Sequence, residues 1–374
     1  MTTATVTKSL PVLQAALAGL LVTAAIVFFK LWKQGHAVYN ATNLGIHWSF
    51  PIVVYDYFLL TSTGLAIGAT LALAFGGETF RPLIKRAIWL ALAGLVGGVA
   101  VLMLELGHPL RALWAIPFNF AFESPLYWKV LFVVGYVISL LILFSRLNKP
   151  DWSMTAERGI ALTTLVFALG VTIIAGVVYG SQSMRLFWAA GDIPIAFLVE
   201  SMLGGFAFII FFTYLASGFN QSVLSEDTRK LFTTRFPGMF ALAIFIHLLF
   251  VLARMISGLY GNAEGLQVWQ HIAVSPLFHF ELWIGLLLPL ALMLLPGVRN
   301  SGPMQILAAV LVMIALLISR YEYIIGGQLV PLFKGAWAPA LLSYAPSATE
   351  WLLLLLAIFL ANAVNAFGER RFNL

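Results

Sequence analysis

The sequence predicts an all-α integral membrane protein of about ten transmembrane helices, built as one transmembrane domain over residues 1–374. Hydrophobic residues make up 61% of the chain and charged residues only 10%, whereas soluble domains carry about 25% charged residues. The apolar residues occur in runs of roughly 20, the length that a helix needs to cross a bilayer. Backbone polar groups find no water inside lipid, so each run is expected to be helical.

Ten segments are long and apolar enough to cross the membrane, and they are numbered as spans 1 to 10 in chain order. Their predicted ranges are 11–29, 48–75, 87–107, 125–145, 159–180, 193–217, 237–258, 276–297, 303–322 and 342–367. Span 1 is longer than the apolar core of a signal peptide, roughly 7–15 residues, and no small-x-small cleavage site follows it. We therefore expect span 1 to be retained.

Loop charges predict the orientation. The side on which the N-terminus lies is called side A, and the opposite side is called side B. Loops and termini of side A hold thirteen of the 21 Lys and Arg residues, which predicts that side A and both termini face the cytoplasm. Side B carries longer loops, and long loops commonly carry function or bind a partner. These loops are 30–47, 108–124, 181–192, 259–275 and 323–341.

Composition excludes several kinds of function. The chain has no cysteine, which excludes disulfides, thiolate catalysis and cysteine-bound iron–sulfur clusters. A b-type haem needs two histidines at one depth on facing helices, and His247 has no histidine at its own depth, so we expect no haem and no bound metal. The formal net charge of +6 comes from basic residues scattered through short loops, so nucleic acid is not an expected partner.

Two segments of the chain resemble each other. Ser124–Tyr127 opens span 4 with the motif Ser-Pro-Leu-aromatic, and Ser275–Phe278 opens span 8 with the same motif. Asp56 and Glu200 lie at matching depths of spans 2 and 6. Two parallel four-helix bundles, spans 2–5 and spans 6–9, flanked by spans 1 and 10, would explain the pattern. The predicted repeat units are about 48–180 and 193–322.

Ionisable residues inside the spans are candidates for function, because a charge at the bilayer centre costs about 3 kcal/mol or more. Nearly all of them lie toward side B. We expect Asp56, Glu200 and the more central His247 to relay protons. The other members form a predicted side-B polar cluster, for which an interfacial position is the plainer alternative at several sites. This cluster comprises Glu105, His108, Arg254, His279, Glu281, Arg320, Glu322 and Glu350.

A polar pocket on side B that has carboxylates, histidines and aromatic residues suits a lipid-soluble quinone. The quinone carbonyls need hydrogen-bonding partners, and reduction by two electrons needs a route for two protons. Histidine titrates near neutrality and can exchange one of them. Asn43 and His47 are four residues apart and would share one face if they were helical, and Tyr127 could add a hydroxyl. We predict these three residues as the quinone site.

Several short motifs resemble the NrfD/polysulfide reductase family of membrane subunits, and most closely its ten-span members, such as the membrane subunit of periplasmic nickel–iron hydrogenases. The motifs occur in order along nearly the whole chain. They are Gly45-Ile-His-Trp-Ser-Phe-Pro-Ile-Val-Val-Tyr-Asp56, Thr63-Gly-Leu-Ala-Ile-Gly68, Leu106-Gly-His-Pro-Leu-Arg111, Arg320 followed by Gly326-Gly-Gln328 and Pro331, and Tyr344-Ala-Pro-Ser-Ala-Thr-Glu350. The sequence departs from the family pattern at Ser49–Pro51 and at Glu200.

The resemblance implies a role. Members of this family are quinone-reactive anchors without cofactors of their own, embedded in the bacterial inner membrane. They pair with a ferredoxin-like iron–sulfur subunit, commonly on the periplasmic face, and through it with a catalytic subunit of the molybdopterin, hydrogenase or multihaem type. Asn43 and His47 match the family's headgroup contacts by spacing, Tyr127 matches its tyrosine, and Asp56 matches its acidic residue in span 2.

The resulting hypothesis is a respiratory quinone/quinol oxidoreductase subunit that exchanges electrons between menaquinone or ubiquinone and a partner iron–sulfur subunit. Two alternatives stay open. A secondary transporter or proton-translocating subunit also uses parallel repeats and buried carboxylates, although transporter sites lie near the midplane and commonly need broken helices. The other alternative is a purely structural anchor.

Overall fold

The computed structural model describes residues 3–42, 45–261, 263–332, 335, 339–372 and 374. Across these residues the fold is helical, with one isolated β-bridge between Thr42 and Ile46, and ten helices are long and apolar enough to cross a membrane. The predicted fold class is therefore confirmed. Spans 1 to 10 are Thr3–Gln34, Phe50–Phe75, Arg81–Glu105, Pro125–Leu147, Met154–Gly180, Ile193–Ala216, Phe236–Leu259, Pro276–Leu294, Gly302–Gly326 and Ala348–Arg371.

Short helices occupy several of the connections. Pro109–Phe118 and Ala263–Ala273 lie in side-B loops, and Glu226–Thr234 lies on side A. Single 3-10 turns are formed by Gly35–Val38, Glu78–Phe80 and Gln221–Val223. Span 8 changes from α-helix to π-helix over Phe280–Leu287, a change that hydrophobicity does not predict. Insertions of this kind are frequent at functional sites.

Span boundaries follow the capping residues more than the apolar runs. Span 10 was predicted to begin at residue 342, and this was wrong, because it begins at Ala348. Ser347 caps the helix: its hydroxyl accepts a hydrogen bond from the Glu350 N–H, and the Glu350 carboxylate accepts one from the Ser347 N–H. This reciprocal pair fixes the helix start. Span 1 extends beyond the predicted range at both ends, because a helix does not have to stop where hydrocarbon ends.

The spans form two rings of four helices. Spans 2 to 5 pack in a ring, spans 6 to 9 pack in a second ring, and spans 1 and 10 pack on each other beside span 3. Span 2 lies at the centre, and most of its residues are buried. It crosses span 6 so closely that a Cβ atom on Gly64 would overlap the backbone carbonyl of Ser201. Glycine is needed there for the helices to approach.

Side A holds buried charge that the sequence did not predict. Arg86 in span 3 makes two parallel hydrogen bonds to Glu369 in span 10, both of 3.0 Å, and Arg86 also donates to the backbone carbonyl of Leu374. The Nε atom of Arg146 donates to Glu157 at 2.7 Å. The predicted ranges of spans 3, 4 and 10 left out Arg86, Arg146 and Glu369, so these pairs were not expected. Each of these pairs ties neighbouring segments together near the side-A ends of the spans.

Candidate functional site

Asp56 forms the centre of a buried polar group inside the first ring, about one to two turns from the side-B end of span 2. Its carboxylate accepts a hydrogen bond from Lys129 Nζ at 3.1 Å and one from the Tyr179 hydroxyl at 2.5 Å. Asp56 is 0% exposed, Lys129 6% and Tyr179 2%. Lys129 also lies 5.0 Å from the centre of the Tyr55 ring. Both oxygens of the carboxylate are therefore partnered, by a cation and by a phenol.

Aromatic rings cover this group on side B. The Trp48 ring stacks on Trp188 at 5.3 Å and meets the Tyr179 ring edge-on at 5.3 Å. Trp188 donates its indole N–H to the Tyr323 carbonyl at 2.8 Å, which fixes its ring against the end of span 9. A continuous chain of contacts thus runs from Trp48, through the Tyr179 ring and hydroxyl, to the carboxylate of Asp56.

The segment that leads into span 2 is not helical. Span 2 begins at Phe50, and Thr42 N–H donates to the Ile46 carbonyl at 2.7 Å. His47 lies outside the helix with its side chain exposed, so the condition under which residues 43 and 47 would share a helical face is not met at His47. Asn43 lies outside the described residues, so its role stays a prediction.

Gln328 holds the segment that contains His47. Its side-chain oxygen accepts hydrogen bonds from the backbone N–H groups of His47 and Trp48 at 2.9 and 2.8 Å, and its side-chain nitrogen donates to the Trp48 carbonyl at 2.8 Å. Arg185 adds a second tie, because it donates to the carbonyls of Gly45 and Val330 at 2.8 and 2.9 Å. Two loops of side B thus fix His47 at the surface directly beside Trp48.

The other predicted residues of side B take separate positions. Tyr127 is buried between the rings of Phe122 and Trp128, with ring centres 5.4 and 5.5 Å away. His108 and His279 are exposed, His108 at the start of the Pro109–Phe118 helix. No contact between Tyr127 and His47 is present among the described residues, so the predicted partnership of these two stays a prediction.

The second ring holds its own buried ion pair. Arg320 of span 9 donates from Nε to Glu200 of span 6 at 3.2 Å and from Nη2 to the other carboxylate oxygen. The guanidinium also lies 3.9 Å from the centre of the Phe197 ring. Arg320 is 1% exposed and Glu200 7%. Glu200 occupies in the second ring the place that Asp56 has in the first.

A cavity of about 70 Å³ lies beside the Glu200–Arg320 pair. His247, Glu281, Glu322 and Arg254 all line it, so the structure brings His247 of the predicted proton relay together with three members of the predicted side-B polar cluster. Arg254 lies over the rings of Tyr323, Trp269 and Phe187, at 4.8, 5.5 and 5.8 Å. Within the described part of the chain Arg254 makes no ion pair with a carboxylate.

Two predicted carboxylates lie near Tyr39 at the side-B rim. Glu350 is fully buried and accepts the Tyr344 hydroxyl at 2.6 Å, in addition to its part in capping span 10. Burial and this hydrogen bond raise the pKa of Tyr344. Glu105 lies near Tyr39, whose pKa is raised by burial and by the charges of Glu105 and Glu350. These residues join spans 3 and 10 at the side-B rim.

Some residues of the site were not predicted from the sequence. Lys129 was not among the predicted site residues, although it lies four positions inside span 4 at about the depth of Asp56. That matching depth is the signal that could have identified it. Tyr179 and Trp188 carry no signal in sequence, because aromatic residues at span ends are usual in any membrane protein. No group of three or more His, Cys, Asp or Glu residues suited to a metal ion occurs among the described residues.

Fold and site together define a multi-pass α-helical membrane protein with a buried ion pair inside each ring of helices. A comparison with known protein families identifies the family. The profile of the polysulphide reductase NrfD family matches residues 38–332, and the chain belongs to this family.

Two relatives show the breadth of the similarity. A selenate reductase subunit of Mesobacillus selenatarsenatis is 23% identical, over 81% of this chain and 80% of the relative. A protein of Nitratidesulfovibrio vulgaris is also 23% identical, over 46% of this chain and 48% of that protein.

Proposed function

We propose that the protein is the quinone-reactive membrane subunit of a respiratory reductase complex, which exchanges electrons between menaquinone or ubiquinone and a partner iron–sulfur subunit. Membership of the NrfD family and the similarity to a selenate reductase subunit support this role. Side A would face the cytoplasm of a bacterium with both termini, and side B the periplasm.

One observation carries the proposal: an exposed histidine is next in sequence to a tryptophan from which a line of contacts leads to a buried carboxylate. His47 is exposed at the side-B rim, and its neighbour Trp48 touches the Tyr179 ring, whose hydroxyl donates to Asp56. A quinone headgroup beside His47 would lie at the edge of the aromatic rings. Its tail would extend along the apolar spans.

The chemistry of the substrate requires groups that exchange protons. Oxidation of a quinol to a quinone releases two electrons and two protons, and reduction of a quinone takes up the same number. The electrons would pass to or from the partner, because this chain has no cysteine to hold a cluster. His47 would exchange one proton with the headgroup. The Tyr179 hydroxyl, hydrogen-bonded to Asp56, would serve the second proton, with Lys129 balancing the charge of the carboxylate.

The partner would dock on side B. Exposed aromatic residues are concentrated in the loop between spans 3 and 4, where Trp114, Phe118 and Phe122 are 58%, 71% and 60% exposed. Interfaces are enriched in such side chains. A ferredoxin-like iron–sulfur subunit seated here would bring a cluster toward the His47 rim and would connect the membrane subunit with a catalytic subunit.

The direct test is a histidine substitution in the purified complex. His47→Ala should abolish quinone-linked turnover, while the catalytic partner keeps its activity with an artificial dye as electron donor or acceptor. His271→Ala is the matched control, because His271 is also an exposed side-B histidine but lies on the Ala263–Ala273 helix, apart from the proposed path. Full quinone activity in His47→Ala, or equal loss in both variants, would contradict the assignment.

A further inference from the structure

The second ring contains polar groups that the proposed quinone site does not use. Glu281 is 2% exposed and His247 is 4% exposed. Both line the cavity beside the Glu200–Arg320 pair. Among the described residues, the Oε1 atom of Glu281 and both ring nitrogens of His247 have no hydrogen-bond partner.

Other atoms around the same cavity share this condition. Within the described residues, Arg320 Nη1, Glu322 Oε1 and the Tyr323 hydroxyl are also buried without a partner. Each such group costs about 1–3 kcal/mol if it stays unsatisfied. A water needs about 10–15 Å³ of such space, and the cavity offers about 70 Å³, so it has room for several waters. A polar lining and sufficient room are the two conditions for buried water.

We propose that this cavity is a hydrated proton site, in which Glu281 carries an exchangeable proton and His247 is the group that receives it through water. The proton leaves the Glu281 carboxyl, crosses one or more waters and binds a ring nitrogen of His247, and the reverse transfer restores the starting state. No electron transfer takes part in this step. The site rests on the geometry of spans 6 to 9 alone and does not need the quinone site of the first ring.

Charge pairing supports a protonated Glu281. Arg320 is already committed to Glu200, and Arg254 lies over three aromatic rings. A buried carboxylate without a cation is strongly disfavoured, so the carboxyl keeps its proton. The titratable and charged groups that face Glu281 come from three other spans. They are Glu200 of span 6, His247 and Arg254 of span 7, and Arg320, Glu322 and Tyr323 of span 9.

The π-helix that contains Glu281 and a pocket next to the cavity also support the proposed proton site. Glu281 is the second residue of the π-helical stretch Phe280–Leu287. A π-helical insertion turns the side chains before it relative to those after it, which is how such insertions position functional groups. Phe187, Arg254 and Trp269 line this cavity and also a neighbouring pocket of about 340 Å³ next to the side-B loops. These three side chains therefore form a common wall between the cavity and the pocket next to side B.

The test uses the chain alone, reconstituted in lipid nanodiscs. Infrared difference spectra between two pH values should show a carbonyl stretch of a protonated carboxyl that shifts in D₂O. Glu281→Gln should remove this band, and Glu281→Asp should move it without removing it, which keeps the test valid if the Gln variant fails to fold. His247→Asn should shift the band, because the groups share the same waters.

The matched control is Glu105→Gln, a partly buried carboxyl at the side-B end of span 3, outside the cavity. It should leave the band assigned to Glu281 in place. A spectrum of Glu281→Gln that equals the wild-type spectrum would overturn the proposal, and so would a Glu281 band that does not shift in D₂O. The quinone assay of His47→Ala is independent of both results, so failure of one proposal is distinguishable from failure of the other.

Discussion

Each of the two rings of four helices has a buried carboxylate at about the same depth, but the surroundings of the two carboxylates differ. In the first ring, Asp56 has both oxygens bonded, one to Lys129 and one to Tyr179. In the second ring, Glu200 is bonded to Arg320, but the cavity beside this pair also holds Glu281 and further buried polar atoms without a partner among the described residues. One ring is therefore closed around its charge, while the other has space for water.

The difference follows from the helix that completes each ring. Span 4 opens with Ser-Pro-Leu-aromatic and then supplies Lys129, whereas span 8 opens with the same motif and then supplies Glu281. A cation at this place neutralises the acid of the ring, and an acid at this place adds to it. The internal repeat stays a prediction, yet it gives this contrast a simple form: the same helical turn after the motif carries a cation in span 4 and, one residue further along, an acid in span 8.

The largest stability effect is expected for Asp56→Asn. This change leaves Lys129 buried without its counter-ion, and breaking a buried pair costs about 3–5 kcal/mol. The free energy of unfolding, measured by steric trapping in bicelles, should fall by that amount. The double variant Asp56→Asn with Lys129→Met should recover most of the loss. A single variant within about 0.5 kcal/mol of wild type would show that the pair has no net effect on stability.

A smaller loss is expected for Arg320→Met in the second ring. The change leaves Glu200 without its cation, but water in the adjacent cavity can solvate the carboxylate, so we expect about 2 kcal/mol by the same measurement. The comparison of the two rings predicts this order of the two variants. An Arg320→Met loss equal to or larger than that of Asp56→Asn would contradict the idea that the second ring is hydrated.

Contact between the rings is tested at Gly64. An alanine there would overlap the Ser201 backbone where spans 2 and 6 cross, and overpacking costs about 1–3 kcal/mol. The thermal unfolding midpoint of Gly64→Ala should fall. Gly68→Ala, one turn further along span 2, is the control, because a Cβ atom there meets nothing within 4 Å. Equal midpoints for the two variants would mean that the rings are not in close contact at this crossing.

The smallest effect is expected for Gln328→Ala. This change removes the hydrogen bonds between the residue just after span 9, in the second ring, and the segment before span 2, in the first ring. Loss of the hydrogen bonds to His47 and Trp48 should cost about 1–2 kcal/mol locally. Hydrogen–deuterium exchange of peptides that contain residues 47–48 should therefore become about ten times faster. Peptides from span 3 should keep their wild-type exchange rate. Unchanged exchange at residues 47–48 would show that Gln328 does not hold this segment.

The fold was predictable because a bilayer imposes length and hydrophobicity on every span. All ten spans were found, and the errors lie at their ends, where a cap such as Ser347 outweighs hydropathy. The π-helical part of span 8 was not predictable, since it depends on packing against span 9. The side-A pair of Arg86 and Glu369 was missed because residues near span ends were assigned to loops.

Less of the site was predictable. The position of a residue within its predicted span was enough to single out Asp56, Glu200, His247 and Glu281, because an ionisable residue inside an apolar span stands out. It could not show which acid meets which base, and so Lys129 was missed. The form of the loop before span 2 was left open, because hydrogen bonds from distant residues such as Gln328 decide it. Contacts between segments far apart in sequence have no local signal.

Labelling with a photoactivatable azido-quinone tests the central claim most directly. After illumination of the purified complex and digestion, mass spectrometry locates the modified residues, and an excess of natural quinone should compete with the label. We predict labelling in the segment 45–50, around His47 and Trp48 at the rim of the first ring. Competed labelling around His247 and Glu281, with segment 45–50 unmodified, would place the quinone in the second ring and contradict the account.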